Sequence, residues 1–417
     1  SQLVWTGDAL VGFVTKNPDR TYAGENWLRL AVLRPAPLPA APAPEPATIA
    51  QLQHFHWSTI AAGPDALGTV SEDASVWDGH EVLAWEPGAA GGAKSRFAAY
   101  DPASNRWRSL PAPPLPAGWD YSGSVWSGSE FILLGQPSGG APSAFVGVAY
   151  DAATDAWHRI PSVQLCYEAT RQVVWDGSRV LVLPGAASRL APSCQYGSGA
   201  AYDPVANTWS TVPTIPVSAK GSASSKAVGG NGRAIVLIRE GGANSLEPPA
   251  RYEAFLLRSG ASSWERLTTV PDPLDADIDS VTTTGPYLVI PPTGGCAAGG
   301  DCAPGSQQFH DGYLIDASTG TVRRIHADES RPLNLGIAFT SIVDTGGATF
   351  NIAYGDGGDT GTPVYAYAWD ARGADISLPS PRDCKCGNQQ VPSGPGIWTG
   401  HELLFFDGAT SGWRFGP

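Results

Sequence analysis

Residues 75–111 read SVWDGHEVLAWEPGAAGGAKSRFAAYDPASNRWRSLP, and this stretch decides the fold. Ser75-Val76-Trp77 has strand character and meets an Asp78-Gly79 turn, after which Glu81 to Trp85 return. Asp-Gly between apolar runs is the strongest short-range hairpin signal. A Gly-rich loop follows, then Phe97 to Tyr100, a turn at Asp101-Pro102-Ala103-Ser104-Asn105, and Trp107 to Leu110 before Pro111. Pro and Gly punctuate both ends, so the stretch is one unit of four short strands.

The unit recurs. First-turn glycines fall at Gly7, Gly79, Gly128, Gly177, Gly232, Gly285, Gly346 and Gly400, spaced 49 to 61 residues apart from Gly79 onward. A second mark, an aspartate six residues before a tryptophan, runs in phase with the first. Asp101/Trp107, Asp151/Trp157, Asp203/Trp209 and Asp407/Trp413 keep both members. Asp316/Val322 and Asp370/Ile376 keep the acid, and Arg258/Trp264 keeps the tryptophan. Fixed periods of this length signal a repeat architecture. One four-stranded unit cannot bury both faces of its sheet, whereas a ring of them packed radially can.

The Tyr–Asp–Pro turn, the Trp six residues on, and glycine pairs after the second strand give the chain a resemblance to a family. The pairs are Gly91-Gly92, Gly139-Gly140, Gly241-Gly242, Gly294-Gly295 and Gly357-Gly358. The chain resembles the kelch-like β-propellers, including the propeller domain of the galactose oxidase family. The resemblance covers nearly the whole chain and implies an all-β fold with almost no helix. A single β-propeller of four-stranded blades over residues 1–417 is expected, eight blades favoured and seven the alternative. In the first unit the Pro/Ala run RPAPLPAAPAPEPA, residues 34–47, reads as a surface insertion between third and fourth strands, because such a run cannot join a sheet interior. The eighth unit reaches its Asp407 turn almost at once and is expected to be abbreviated. Ser1, with no basic or strongly apolar leader after it, reads as a mature or trimmed end.

Composition agrees. Fifty Gly and thirty-seven Pro suit many turns, and 10% aromatic residues are too many for a disordered chain. No apolar run approaches the roughly 20 residues of a membrane span. A formal net charge of −13 argues against nucleic acid or an anionic membrane as partner. The six cysteines, Cys166, Cys194, Cys296, Cys302, Cys384 and Cys386, lack zinc-site spacing, and their even number suggests disulfides in a secreted or cell-surface protein. Cys166–Cys194 and Cys296–Cys302 are the expected bridges. Cys384–Cys386 would close a very tight ring, so cross-pairing with Cys296 or Cys302 is its alternative.

Meander topology sorts the loops. First and third turns share one face of the ring, and they are short and uniform. Second loops and inter-blade links share the other, which collects the irregular material and all six cysteines. Variable loops on a rigid scaffold are where binding and catalysis reside. Residues that ring the channel mouth on that face are Trp119, Asp120, Tyr121, Tyr167, Glu168, Arg171, Lys226, Asp279, His310 and Asn334. Their mixture of aromatic faces, carboxylates and cations suits a neutral polar ligand such as a sugar. Asp275, Asp277 and Asp279 put three carboxylates on one side of an extended segment, a possible calcium site lacking the Gly and Glu of an EF-hand loop; Gly355 to Asp359 is a weaker version. A solvated acidic loop is the plainer reading, and no other cofactor is expected.

Catalytic signatures are absent. No serine has glycine two residues away on both sides, no Ser-x-Asp-x-Gly-x-x-Trp box occurs, and no Cys-Cys dipeptide of the quinoprotein type exists. The copper-ligand pattern of the galactose oxidase family cannot be placed, so its oxidase activity does not transfer. His54-x-His56 could pair on a metal but reads as an outer-strand surface feature, and His80 and His401 read as exposed first-turn residues. Two classes remain. The favoured one is a secreted, monomeric recognition propeller binding a glycan or protein ligand on its loop-rich face. The alternative is an enzyme with an axial pocket on that face, an oxidoreductase, hydrolase or lyase acting on a polar small molecule or sugar.

Overall fold

The computed structural model describes residues 3–5, 10–15, 28–33, 45–61, 74–86, 95–115, 119–137, 144–165, 171–184, 199–216, 223–230, 232–240, 251–271, 281–284, 287–290, 293–296, 307–325, 338–354, 364–370, 372, 375–380, 396–407 and 411–417. The chain falls into two compact units, Ser1–Ala40 and Ala41–Pro417. In the first, β1 (Leu3–Trp5), β2 (Leu10–Thr15) and β3 (Leu28–Leu33) form a three-stranded antiparallel sheet.

The second unit is the propeller. Six four-stranded antiparallel blades are each drawn from one stretch of chain. Their first and last strands are Ser75–Trp77 and Arg106–Leu110, Trp119–Trp126 and Ala156–Gln164, Arg171–Trp175 and Thr208–Val212, Ala223–Gly230 and Glu265–Pro271, Thr282–Thr284 and Val322–Ile325, and Ala338–Asp344 and Asp375–Leu378. These are blades 1 to 6. Blade 5 also carries a small hairpin, Thr293–Cys296 with Gln307–His310.

The ring closes with a composite sheet. Gly396–Trp398, Leu403–Asp407 and Ser411–Gly416 supply three strands, and β4 (His56–Thr59), from the other end of the chain, supplies the fourth. The expectation of eight blades, or seven, each made from its own repeat is therefore corrected: six blades are self-contained, and the closing sheet is shared between the first and last repeats. The first repeat gives up its fourth strand, and its other three lie in the Ser1–Ala40 unit. Pairing the first and last strands of the Ala41–Pro417 unit in one ladder turns opening of the ring into the breaking of backbone hydrogen bonds, which favours this exchange.

Neighbouring blades share apolar cores. Leu83, Trp85 and Phe97 of blade 1 meet Phe131, Leu133 and Tyr150 of blade 2, and equivalent groups fill the seams between blades 2 and 3, 3 and 4, and 4 and 5. Further cores join blade 6 to the closing sheet and the closing sheet to blade 1. Between blades 5 and 6, Thr282–Thr284 lies beside Ala338–Asp344. First strands lie innermost, and those of blades 1 to 4, and of blades 5, 6, the closing sheet and blade 1, touch in succession. Among the described residues the only helix is the four-residue α1, Ile49–Leu52, started by a capping box of Thr48 and Gln51.

The repeat motif has a physical basis in the third turn. Asp101 Oδ1 accepts from the Ala103 N–H (2.9 Å), and Asp151, Asp203, Asp316 and Asp370 repeat this bond two residues on. The fifth turn position is left-handed, with φ of 53° at Asn105, 53° at Asp155 and 51° at Asn207. Asn and Asp tolerate that region best among residues with a Cβ. Their side-chain oxygens also accept the buried hydroxyls of Tyr100 (2.8 Å), Tyr150 and Tyr202 (3.0 Å). The tryptophan then latches blade to blade. Trp157 Nε1 donates to the Pro111 carbonyl at 2.7 Å, Trp209 to Pro161 at 2.6 Å, Trp264 to Pro213 at 2.7 Å and Trp107 to Ala61 at 3.1 Å.

The same latch identifies the true fourth strand of the closing sheet. Trp57 Nε1 donates to the Pro379 carbonyl at 2.7 Å. Asp407 and Trp413, despite their spacing, bound the hairpin between the second and third strands, where Asp407 pairs with Ser411.

Candidate functional site

First and third turns do share one face. Ser178 of the blade 3 first turn meets Ser259 of the blade 4 third turn, Oγ to Oγ 2.7 Å. The second loops and inter-blade links therefore open on the other end of the ring, where the first strands of blades 2, 3 and 4 begin. Their innermost positions bring Trp119-Asp120-Tyr121, Arg171 and Lys226 onto three successive strands of the inner wall.

Aromatic packing shapes the blade 1–2 seam at this end. Trp85, at the end of the second strand of blade 1, is 1% exposed. Trp119 meets it edge-on (centroids 5.9 Å, 78°) and Tyr121 lies 5.1 Å away at 47°. Gly135 lies opposite, where a Cβ would strike the Trp119 ring and the Asp120 carbonyl. Trp119 and Tyr121 are thus half-buried caps of the seam rather than free-standing rings. The Trp85 and Trp119 indole N–H groups are buried without an acceptor among the described residues, and an unsatisfied donor of this kind costs about 1–3 kcal/mol. Asp120 is exposed, Lys226 half-buried and Arg171 buried at 8%. Beside Arg171, the Gln172 amide bonds the backbone of Ser225 and Ala227, tying the inner strands of blades 3 and 4 together.

Tyr167, Glu168, Asp279, Asn334 and the carboxylates Asp275 and Asp277 lie outside the described residues, as do Gly355 to Asp359, residues 34–44 of the Pro/Ala run, and Cys166, Cys194, Cys302, Cys384 and Cys386. His310 and Cys296 sit in the blade 5 hairpin, with side chains outside the described set. Among the described residues no group of three or more His, Cys, Asp or Glu is placed to hold a metal, and no helix is long and apolar enough to cross a membrane. His54 precedes β4 rather than sharing a strand with His56; both are exposed, as are His80 and His401. No sequence motif marks Trp85 as a site residue. Its only signal was its place before the Gly-rich second loop of blade 1.

The perturbed titratable groups lie in the blades' turns and cross-strand pairs. His158 Nε2 lies 2.6 Å from Glu130 Oε1, and that hydrogen bond raises the imidazole above its ordinary value of 6.5. Burial pushes the Tyr100 phenol up to about 12. The Ser104 hydroxyl on Asp101 and the Tyr150 hydroxyl on Asp155 hold those carboxyls below the usual range. These groups brace turns and blades.

No family model matches the chain. The human Kelch repeat and BTB domain-containing protein 13 is 30% identical over 130 residues, which are 31% of this chain and 27% of that protein. The chain thus spans about a quarter of the length of that relative. A fungal alcohol oxidase of the AA5 family, solved in complex with copper, aligns with a TM-score of 0.46 and 15% identity over 88% of this chain and 76% of its own. The ring of four-stranded sheets with its repeated turns makes this protein a β-propeller, and part of it is similar to a kelch-repeat protein.

Proposed function

We propose that the protein is a recognition propeller that binds a polar ligand, a glycan or a protein, through its loop-bearing face. The observation that carries this reading is the Trp85, Trp119 and Tyr121 group at the mouth of the blade 1–2 seam, with two buried indole donors lacking acceptors among the described residues. A ligand oxygen entering the seam would satisfy such a donor. Ring faces beside Asp120, Arg171 and Lys226 suit a sugar, whose apolar face stacks and whose hydroxyls both donate and accept. The scaffold supports the role: apolar seams and Trp latches fix the strands, leaving one end of the ring to carry the irregular loops.

The same reading places the protein outside the cytoplasm, as a monomer; its support is the even set of six cysteines. Non-reducing peptide mapping that recovered Cys166 and Cys194 as free thiols would remove that part.

The test is a screen of immobilised glycans and extracellular proteins against the wild-type chain, Trp119→Ala, Arg171→Ala and the opposite-face control His80→Ala. Trp119→Ala and Arg171→Ala are expected to lose binding, and His80→Ala to keep it. The reverse pattern would refute the working face. Turnover of the captured ligand, in place of its recovery unchanged, would replace recognition by the enzyme reading.

A further inference from the structure

The turn face carries a second site, in a place where the sequence suggests nothing but exposed repeat residues. A cleft of about 360 Å³ lies between the segment leading into α1 and the first turn of the closing sheet. Its apolar wall is Trp398 and Phe55, both buried, stacked with centroids 6.3 Å apart at 20°. Around the rim stand Gln51, His54 and His401. The Gln51 Oε1 already accepts from the Thr48 backbone N–H (2.8 Å) and hydroxyl (2.9 Å), so this amide offers its N–H groups. Each imidazole carries an N–H in any protonation state. The cleft therefore combines aromatic rings with hydrogen-bond donors, and wants a partner with flat apolar rings and acceptors.

We propose that this cleft is a docking groove for an extended proline-rich peptide of neutral or basic charge. A polyproline segment makes no internal hydrogen bonds, so every carbonyl is an available acceptor, and its pyrrolidine rings pack on aromatic walls. The protein already seats such a segment beside the cleft. Trp398 Nε1 donates to the Glu45 carbonyl at 2.7 Å, immediately before Pro46. Pro46 rests on Gly346, where an added Cβ would lie 3.2 Å from it. Ala47 is fixed on both backbone groups, its N–H to the Thr345 carbonyl (3.1 Å) and its carbonyl accepting from the Thr345 hydroxyl (3.0 Å). The indole-to-carbonyl contact that reads Glu45-Pro46 forms one wall of the cleft, and the free volume next to it offers a second segment the Gln51, His54 and His401 donors beside the same aromatic pair. The exposed Glu45 carboxylate at the rim selects against acidic peptides.

The probe is decaproline, titrated into the full chain by calorimetry, with a Gly-Ser decapeptide of equal length as control. Saturable decaproline binding is expected, with none for the control. In the double variant His54→Ala/His401→Ala, whose sites are exposed and outside the core, affinity is expected to fall about tenfold, the loss of one or two hydrogen bonds. Equal binding of the two peptides, no saturable binding, or unchanged affinity in the double variant would each overturn the proposal. So would a concentration-dependent dimer abolished by the double variant without peptide binding, which would assign the cleft to a second copy of the chain.

Discussion

At the scale of the residue, the third-turn positions carry more than their exposure suggests. Asn105 holds a left-handed backbone while its Oδ1 accepts from the Tyr100 hydroxyl and the Ala61 N–H, both at 2.8 Å. Asn105→Ala loses conformation and acceptor together and is expected to cost about 2–4 kcal/mol by urea denaturation, while Asn105→Gly keeps the conformation and costs about half as much. Equal costs would show that the side-chain acceptor, not the backbone, sets the requirement. His158 makes a pH-dependent contribution. Its folded value lies above 6.5, so the stability it adds is fully present below 6.5 and is lost as pH rises through the folded value. The imidazole is 42% exposed, so the pair with Glu130 is worth only about 0.2–1 kcal/mol. The stability gap between wild type and His158→Gln should therefore narrow from pH 6 to pH 8, and Glu130→Gln should abolish that trend.

At the scale of the element, the Trp latch is the recurrent device, and it shows what local sequence could reveal. Trp157→Phe keeps a ring against Phe97 and Tyr150 but loses the bond to the Pro111 carbonyl, for an expected cost of about 0.5–1.5 kcal/mol. Trp57 holds the closing seam through Phe350, Phe405, Trp413 and Phe415, so Trp57→Ala should cost about 3–5 kcal/mol. A loss at Trp57 no larger than at Trp157→Phe would mean that the closing strand is not integral to the ring. The motif of blades 1 to 3 was legible because its turns are local: the aspartate, the left-handed Asn or Asp and the Trp sit within seven residues. The closing sheet was not. Asp407 and Trp413 copy the spacing by composition, whereas the pairing of His56–Thr59 with Trp413–Gly416 joins segments over 350 residues apart, and no periodicity encodes it.

At the scale of the whole molecule, the two faces of the ring are built differently. One end carries short turns braced by Asp and Asn side chains, and the other carries the links and second loops. The place of Trp119, Asp120, Tyr121, Arg171 and Lys226 on neighbouring inner strands was legible because strand order alone brings those strands together. That Trp119 caps a seam over Trp85 was not, because inter-blade packing depends on which side of each inner strand meets its neighbour. The turn-face cleft was hidden for the same reason as ring closure, since it forms where the first repeat crosses the last.

Both proposed sites rest on ring closure, and a single cross-link tests it most directly. Ser58 and Arg414 are direct partners across the antiparallel ladder, where α-carbons lie about 4.5–5.5 Å apart, within disulfide range. Non-reducing peptide mapping of Ser58→Cys/Arg414→Cys should recover a peptide joining positions 58 and 414, with the native β circular dichroism retained. Recovery of both cysteines as free thiols in the folded protein, or a bridge from 58 to any other position, would contradict a propeller closed by β4.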